Sequence, residues 1–241
     1  MEITRSLWVP KEGNTDLQYE DASADTLIPD GARLIAVADG ASAAVFARNW
    51  AQILTKGFTN DTLLPSDDDA FFAKVTELGD LWRAEVGASE SGGKARAWWA
   101  EEKIPQGSAA SLLLVHFGLE KWTALGVGDV CLFAVENDRL KWSFPLTKSK
   151  QFSNRPALLT TDLASLKERP KVIRHSAPIA AGTRYFLLTD ALSHWFLSEH
   201  EKRKKPWEIL PETPETFASW VAARRTDRSL HNDDVTLIEI R

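Results

Sequence analysis

The sequence predicts an α+β protein in which antiparallel sheets pack together and helices lie outside them. Four short apolar runs follow one another between residues 111 and 144, and two of these runs are apolar on both faces. Strands buried inside a sandwich have that composition. Apolar residues recur at helical spacing elsewhere, and the order of strands and helices lacks the regular βαβ alternation of a parallel sheet.

The first half of the chain begins with an apolar strand predicted at residues 33–39, which ends at Asp39-Gly40. Ser42 is the predicted N-cap of a following helix, and Gly57 is expected to end that helix. A second helix is predicted from Asp68 to Val86, where apolar residues recur every three or four positions. A glycine-containing break then precedes a short helix expected around Trp98 and Trp99.

The second half contains most of the predicted strands. Residues 145–170 are polar and interrupted by proline, so we expect an irregular surface excursion there. Glu136-Asn137-Asp138-Arg139 is expected to close a hairpin. The predicted strands are Ser111–Phe117, Trp122–Val127, Cys131–Val135, Leu140–Phe144, 171–175, 184–189 and Val235–Ile240, and the predicted helices are 191–200 and 213–225.

Length and composition indicate one domain over residues 1–241. The net charge of −5 argues against a nucleic-acid partner, because phosphate backbones select basic surfaces. Cys131 is the only cysteine, so an intrachain disulfide is excluded and a reducing compartment is expected. No apolar run approaches the roughly 20 residues of a membrane span. We therefore expect a cytoplasmic protein with no membrane partner.

Four aspartates lie at the ends of strand-like apolar runs, namely Asp21, Asp39, Asp190 and Asp233. A carboxylate in such a place is costly to remove from water unless a cation meets it. Two carboxylates about 5 Å apart repel by roughly 3 kcal/mol at an effective dielectric constant of ~20. We therefore expect the four side chains to converge on shared divalent cations.

The ligand set suggested by these residues contains oxygen only, since no histidine or cysteine stands at metal-binding spacing. Oxygen ligands favour hard ions such as magnesium, manganese or calcium over zinc. Gly40 follows Asp39 and lets a backbone carbonyl approach an ion closely.

Six ordered motifs in this sequence resemble those of the type 2C metal-dependent serine/threonine protein phosphatases, the PPM family, especially its short bacterial members. Each motif alone is weak, but six in the right order over nearly the whole chain are specific. The motifs are Tyr19-Glu20-Asp21-Ala22, Val37-Ala38-Asp39-Gly40-Ala41-Ser42, Gly107-Ser108-Ala109-Ala110, Gly126-Val127-Gly128-Asp129, Leu188-Thr189-Asp190-Ala191 and Asn232-Asp233-Asp234-Val235-Thr236-Leu237.

The resemblance implies a central antiparallel β-sandwich flanked by helices on both sides, a four-layer αββα arrangement. It also implies hydrolysis of phosphoserine and phosphothreonine in proteins by a hydroxide that bridges two magnesium or manganese ions, with a third ion in some members. A phosphorylated protein would be the substrate, and a serine/threonine kinase would be a natural partner.

Residue roles follow from the same resemblance. Asp39 would bridge the two metals and Gly40 would offer its carbonyl to one of them. Asp190 and Asp233 would hold the other ion, and Asp21 would act through metal-bound water. Asp129 matches the residue that helps to hold a third ion.

The chain departs from the family pattern at three positions. Ala41 stands where many relatives have a histidine, which removes one candidate general acid. Asp16 stands where eukaryotic members have an arginine that grips phosphate, and Lys11 is a candidate substitute. Ala191 replaces the glycine that usually follows the third aspartate.

Two alternatives stay open at the sequence level. One is a weakly active or inactive relative that binds metal and phosphoprotein as a regulatory module. The other is an acidic cleft with a purely structural cation. Near the motifs, we expect Asp234 to hydrogen-bond locally, His231 to lie on an exposed loop and His194 to be structural.

Overall fold

Two antiparallel sheets form the centre of the molecule. The computed structural model describes residues 1–44, 46–88 and 107–241, so the short helix predicted around Trp98 and Trp99 lies outside the described residues. The strands are β1 Ile3–Val9, β2 Ala22–Leu27, β3 Arg33–Gly40, β4 Ala109–Phe117, β5 Lys121–Val127, β6 Cys131–Glu136, β7 Arg139–Phe144, β8 Leu159–Thr160, β9 Ile173–Pro178, β10 Arg184–Leu188 and β11 Val235–Ile240; the helices are α1 Ala47–Asn60, α2 Asp68–Ala88, α3 Asp190–Glu201 and α4 Pro214–Thr226.

The strand order shows how distant segments become neighbours. One sheet runs β1-β11-β10-β6-β7, and the other runs β2-β3-β4-β5-β9, with β8 paired to β4. All of these pairings are antiparallel. The predicted α+β class with antiparallel sheets is confirmed.

Three apolar clusters separate four layers. In β3, Ile35 and Val37 point between the two sheets, whereas Ala36 and Ala38 pack under helices α1 and α2. Helices α3 and α4 cover the outer face of the other sheet in the same way. Each sheet is covered by the other sheet on one face and by helices on the opposite face. Its central strands must therefore be apolar on both faces, which explains the apolar runs in the sequence. The four-layer αββα arrangement is therefore confirmed.

Helix α1 differs from its prediction at both ends. It begins at Ala47 after Phe46, whose φ of 56° places it in the left-handed region, and it continues to Asn60. Gly57 does not end the helix. A Cβ at Gly57 would lie 2.3 Å from Cδ2 of Leu78, so this glycine allows α1 and α2 to approach closely.

The strands β1 and β2 were not predicted from the sequence. Both lie at sheet edges, and much of their surface is exposed, so their apolar content is low. The 145–170 excursion is largely irregular as expected, but it contains the short strand β8. The predicted hairpin is confirmed, because Asn137 and Asp138 join β6 to β7 with φ of 48° and 60°. Among the described residues, no helix combines the length and apolarity that a bilayer span requires.

Candidate metal centre

Strand register brings the predicted aspartates together. Ala22 of β2 pairs with Ala38 of β3, so continuing this antiparallel register puts Asp21 beside Asp39. In the other sheet, Leu188 of β10 pairs with Cys131 of β6, and the same continuation puts Asp190 beside Asp129. Because β11 is the other neighbour of β10, Asp233 approaches from the turn before β11.

The carboxylates also perturb one another across the two sheets. Burial raises the pKa of Asp39 well above its ordinary value, and the charges of Asp190, Asp21, Asp129 and Asp233 raise it further. Five carboxylates from five separate segments therefore share one region. Their convergence was predicted from the sequence for four of them and from the family resemblance for Asp129.

Asp129 and Asp190 show the same effect. Burial raises the pKa of Asp129 to about 7, helped by the charges of Asp190 and Asp233. Burial raises the pKa of Asp190 to about 6, and the Asp233 charge adds to that rise. The backbone N–H of Ala191 donates to Oδ1 of Asp190, and this hydrogen bond opposes the rise in the pKa of Asp190. Nearby positive charge therefore does not offset the burial and mutual repulsion of these carboxylates.

Asp21 is held by a buried hydroxyl network. The hydroxyl of Thr236 donates to Oδ2 of Asp21 at 2.6 Å, and Thr236 also shares a hydrogen bond with the hydroxyl of Tyr19. Oδ1 of Asp21 is buried and has no hydrogen-bond partner among the described residues. Burial raises the pKa of Asp21 well above its ordinary value. A buried oxygen without a partner is the observation that fits a cation ligand, directly or through water.

Asp233 is more exposed than the other members and lies near two cations. Nζ of Lys11 is 3.6 Å from Oδ1 of Asp233. Arg225 donates to the backbone carbonyl oxygens of Asp233 at 2.6 Å and Pro10 at 3.0 Å. The arginine therefore ties the turn before β11 to the segment that carries Lys11.

Asp234 corrects the expectation of a local hydrogen bond. Its two carboxylate oxygens accept the backbone N–H groups of Lys11 and Glu20, each at 2.6 Å. These partners lie more than two hundred residues away in sequence. Asp234 thus positions both ends of the 11–20 loop beside the cluster. The adjacent Asp233-Asp234 pair was the only sequence signal for this role.

Gly40 lies where two backbones meet. A Cβ at this position would be 2.7 Å from the carbonyl oxygen of Glu20 and 3.0 Å from the carbonyl carbon of Ala47. Only glycine allows this approach, which brings the end of β3 against the segment that carries Asp21. Burial raises the pKa of Glu20, and the nearby Ser42 opposes that rise. Ser42 does not cap helix α1, because Phe46 occupies the N-cap position.

A small pocket of about 90 Å³ adjoins the cluster and is lined by Asp129, Asp190, His194 and His231 among others. The two imidazole rings stack with centroids 4.8 Å apart. His231 is exposed, as expected. Burial lowers the pKa of His194, and the neighbouring His231 lowers it further. The neutral form of His194 is therefore favoured.

The donor chemistry fits magnesium or manganese, since the cluster offers carboxylate and backbone oxygens. In the parts of the chain that the structure describes, no three His, Cys, Asp or Glu side chains already surround one point as a complete ligand set. Cation binding would therefore use side-chain rotation or bridging water at some of these positions.

The molecule has two packed antiparallel sheets, helices on both outer faces and an acidic cluster at one end. These features match the αββα phosphatase architecture that the sequence motifs predicted. The sequence profile of the protein phosphatase 2C family matches residues 13–231. The chain belongs to this family. A comparison with curated protein sequences gave no match.

Solved structures with the same fold include bacterial phosphatases. Serine/threonine phosphatase Stp1 from Staphylococcus aureus is similar with a TM-score of 0.65 at 12% identity, over 99% of this chain and 94% of Stp1. Mycobacterium tuberculosis serine/threonine phosphatase PstP/Ppp gives 0.61 at 17% identity, over 98% and 96%. The catalytic domain of serine threonine protein phosphatase PstP in complex with 2 manganese ions gives 0.56 at 18% identity, over 98% and 96%. At these identities the similarity establishes the fold.

Proposed function

We propose that this protein is a magnesium- or manganese-dependent phosphatase that removes phosphate from phosphoserine and phosphothreonine in proteins. The observation that carries the proposal is the cluster of five carboxylates from both sheets, in which burial and neighbouring negative charges raise the pKa values of Asp39, Asp129 and Asp190. Such a cluster opposes folding unless cations compensate it, and the family to which the chain belongs supports a phosphatase role for those cations.

We assign the ligand roles as follows. Asp39 and the carbonyl of Gly40 would hold one ion, and Asp39 would also serve a second ion together with Asp190 and Asp233. Asp21 would act through water beside an ion, and Asp129 would help to hold a third, weaker ion. When bound, the ions acidify water and neutralise charge on the phosphoryl oxygens, so no protein nucleophile is required.

The chain's own residues have three further tasks. Lys11, which lies beside Asp233, contacts the phosphate group of the substrate. Asp234 and Arg225 keep the 11–20 loop and the turn before β11 in register, so that Lys11 stays near the cluster. The hydroxyl of Thr236 holds Asp21 in one orientation. Ala41 holds no proton, so protonation of the leaving group comes from another source.

Hydrolysis of para-nitrophenyl phosphate with manganese tests the proposal. We expect turnover with manganese, none with a chelator, and a loss of at least about a hundredfold in kcat for Asp39→Asn. The same variant should lose the increase in melting temperature that manganese gives the wild-type protein. Turnover that is unaffected by both the chelator and Asp39→Asn would refute the proposal.

The regulatory alternative has one observation in its favour, namely that no three candidate ligand side chains in the described residues already surround a common point. It predicts a manganese-dependent rise in melting temperature without turnover of any phosphomonoester. A single domain over residues 1–241, a cytoplasmic location and a partner kinase stay predictions of the sequence.

A further inference from the structure

A groove of about 620 Å³ opens beside the carboxylate cluster, between the 11–20 loop and the start of helix α1. Its lining includes Glu20, which directly precedes Asp21 in the chain, and Lys11, whose Nζ lies 3.6 Å from Oδ1 of Asp233. The groove is therefore continuous with the proposed catalytic centre. None of the assigned ligand roles uses the part of it that lies farther from the cluster.

The lining of that part suits a polypeptide. Asn14, Gln18, Asn49 and Gln52 contribute to its lining; Oε1 of Gln18 already accepts from the backbone N–H of Thr15, and Nδ2 of Asn49 donates to Glu85. Each amide group can donate and accept, as a peptide backbone requires. Leu17 on the loop wall is 84% exposed, and Phe46 on the helix wall is 37% exposed. Large apolar side chains on both walls offer contacts to a polymeric ligand that a small phosphate ester does not reach.

The charge in the groove is contributed by Arg48 and Lys11, with Glu20 as the acidic residue of the lining. Arg48 lies in the first turn of α1, and its guanidinium donates to the backbone carbonyl oxygen of Asp16. Within residues 1–44, 46–88 and 107–241, Arg48 forms no ion pair. The carboxylates of Glu12 and Asp16 belong to the loop but do not line the groove.

We propose that this groove binds the polypeptide that flanks the phosphorylated residue, and that Arg48 selects substrates with an acidic side chain near that residue. The inference rests on the proposed phosphatase function and names its substrate class. Lys11 serves the phosphate end of the groove, and Arg48 serves the flanking chain. The assignment follows from a cation without an ion pair in a groove that leads to the cluster.

A matched pair of phosphothreonine peptides tests the proposal, one with glutamates on both sides of the phosphothreonine and one with glutamines. We expect the wild-type protein to show a KM up to about fivefold lower for the glutamate peptide, since a pair of exposed charges contributes up to about 1 kcal/mol. Arg48→Glu should abolish or reverse this preference. Leu17→Ser should raise the KM for both peptides by the same factor, because an apolar contact does not depend on the charge of the peptide.

Lys56→Glu is the matched control, because Lys56 is exposed on the same helix and does not line the groove. It makes the same change of charge and should preserve both the preference and the hydrolysis of para-nitrophenyl phosphate. Equal affinity of the wild-type protein for both peptides would overturn the proposal. Equal loss of preference in Arg48→Glu and Lys56→Glu would also overturn it, since the effect would then come from net charge.

Fluorescence anisotropy with the Asp39→Asn protein gives a readout that does not need turnover. Labelled glutamate and glutamine peptides should differ in Kd by the same factor as in KM. If the wild-type protein hydrolyses neither the peptides nor para-nitrophenyl phosphate, the proposed function fails. The anisotropy difference, with and without Arg48→Glu, still decides whether the groove binds acidic polypeptide.

Discussion

Replacing Asp129 by asparagine removes one negative charge from the carboxylate cluster while nearly preserving the side-chain shape. Burial raises the pKa of Asp129 from 3.8 to about 7, with contributions from the charges of Asp190 and Asp233. Since the folded protein holds this proton more tightly than the unfolded chain, ionising Asp129 lowers the free energy of unfolding. A pKa difference of about three corresponds to about 4 kcal/mol.

The sign gives a definite dependence on pH. Without divalent cations, the contribution of Asp129 to stability falls as the pH rises from about 4, its unfolded pKa, to about 7, its folded pKa. Asparagine carries no charge but still loses water on burial, so we expect Asp129→Asn to stabilise the cation-free protein by about 2–4 kcal/mol at pH 8. The gain should disappear by about pH 4.

Urea unfolding with a chelator, followed by tryptophan fluorescence at pH 8 and near pH 4, measures this effect. Glu120→Gln is the matched control, because it removes the same charge from an exposed turn and should change stability by less than about 0.5 kcal/mol. A neutral or destabilising result for Asp129→Asn at pH 8 would refute the reasoning. An equal gain at both pH values would refute it as well, since charge repulsion would then not be the cause.

Three further substitutions test other parts of the fold. Thr236→Val removes the hydroxyl between Asp21 and Tyr19 and should lower the free energy of unfolding in urea by about 1–3 kcal/mol, whereas an unchanged value would mean that the hydroxyl network is weak. Glu239→Gln removes the charge of a fully buried carboxylate that pairs with Arg5 and Arg184, and we expect the free energy of unfolding in urea to fall by about 3–5 kcal/mol. Burial alone would raise the pKa of Glu239, but the arginines outweigh it and lower the pKa, so this stabilisation is present above pH 4.5 and decreases as the pH falls further. Gly57→Ala should lower the melting temperature, because overpacking against Leu78 costs about 1–3 kcal/mol, and a melting temperature equal to that of the wild type would show that the two helices separate freely.

The sequence predicted most of the buried elements, because burial leaves a periodic apolar pattern. Helix α2 and strand β11 were placed within two residues of their observed ends. Strand β1 was missed because it lies at a sheet edge and the polar run Thr4-Arg5-Ser6 interrupts its apolar residues. The start of helix α1 was misplaced because the N-cap position is occupied by Phe46 in the left-handed region, and an apolar residue is not a usual capping signal.

Part of the candidate site was also predictable from apolar patterns in the sequence. Asp39 and Asp190 interrupt apolar runs, which marked them as costly unless compensated. Asp234 could not be assigned, since its partners Lys11 and Glu20 are reached only through the pairing of β1 with β11. Whether each aspartate binds a metal ion stays a prediction, as does the location of the protein.

The carboxylates come from both sheets of the sandwich, so a cation bound among them would also affect the stability of the fold. Asp21 and Asp39 belong to one sheet, whereas Asp190 and Asp233 adjoin strands of the other. A cation held jointly by the two pairs would connect the two sheets at one end of the apolar core between them. Its binding free energy then adds to the resistance against separating them. Amide hydrogens on β3 and β10 should accordingly exchange more slowly, and in parallel, as free manganese increases.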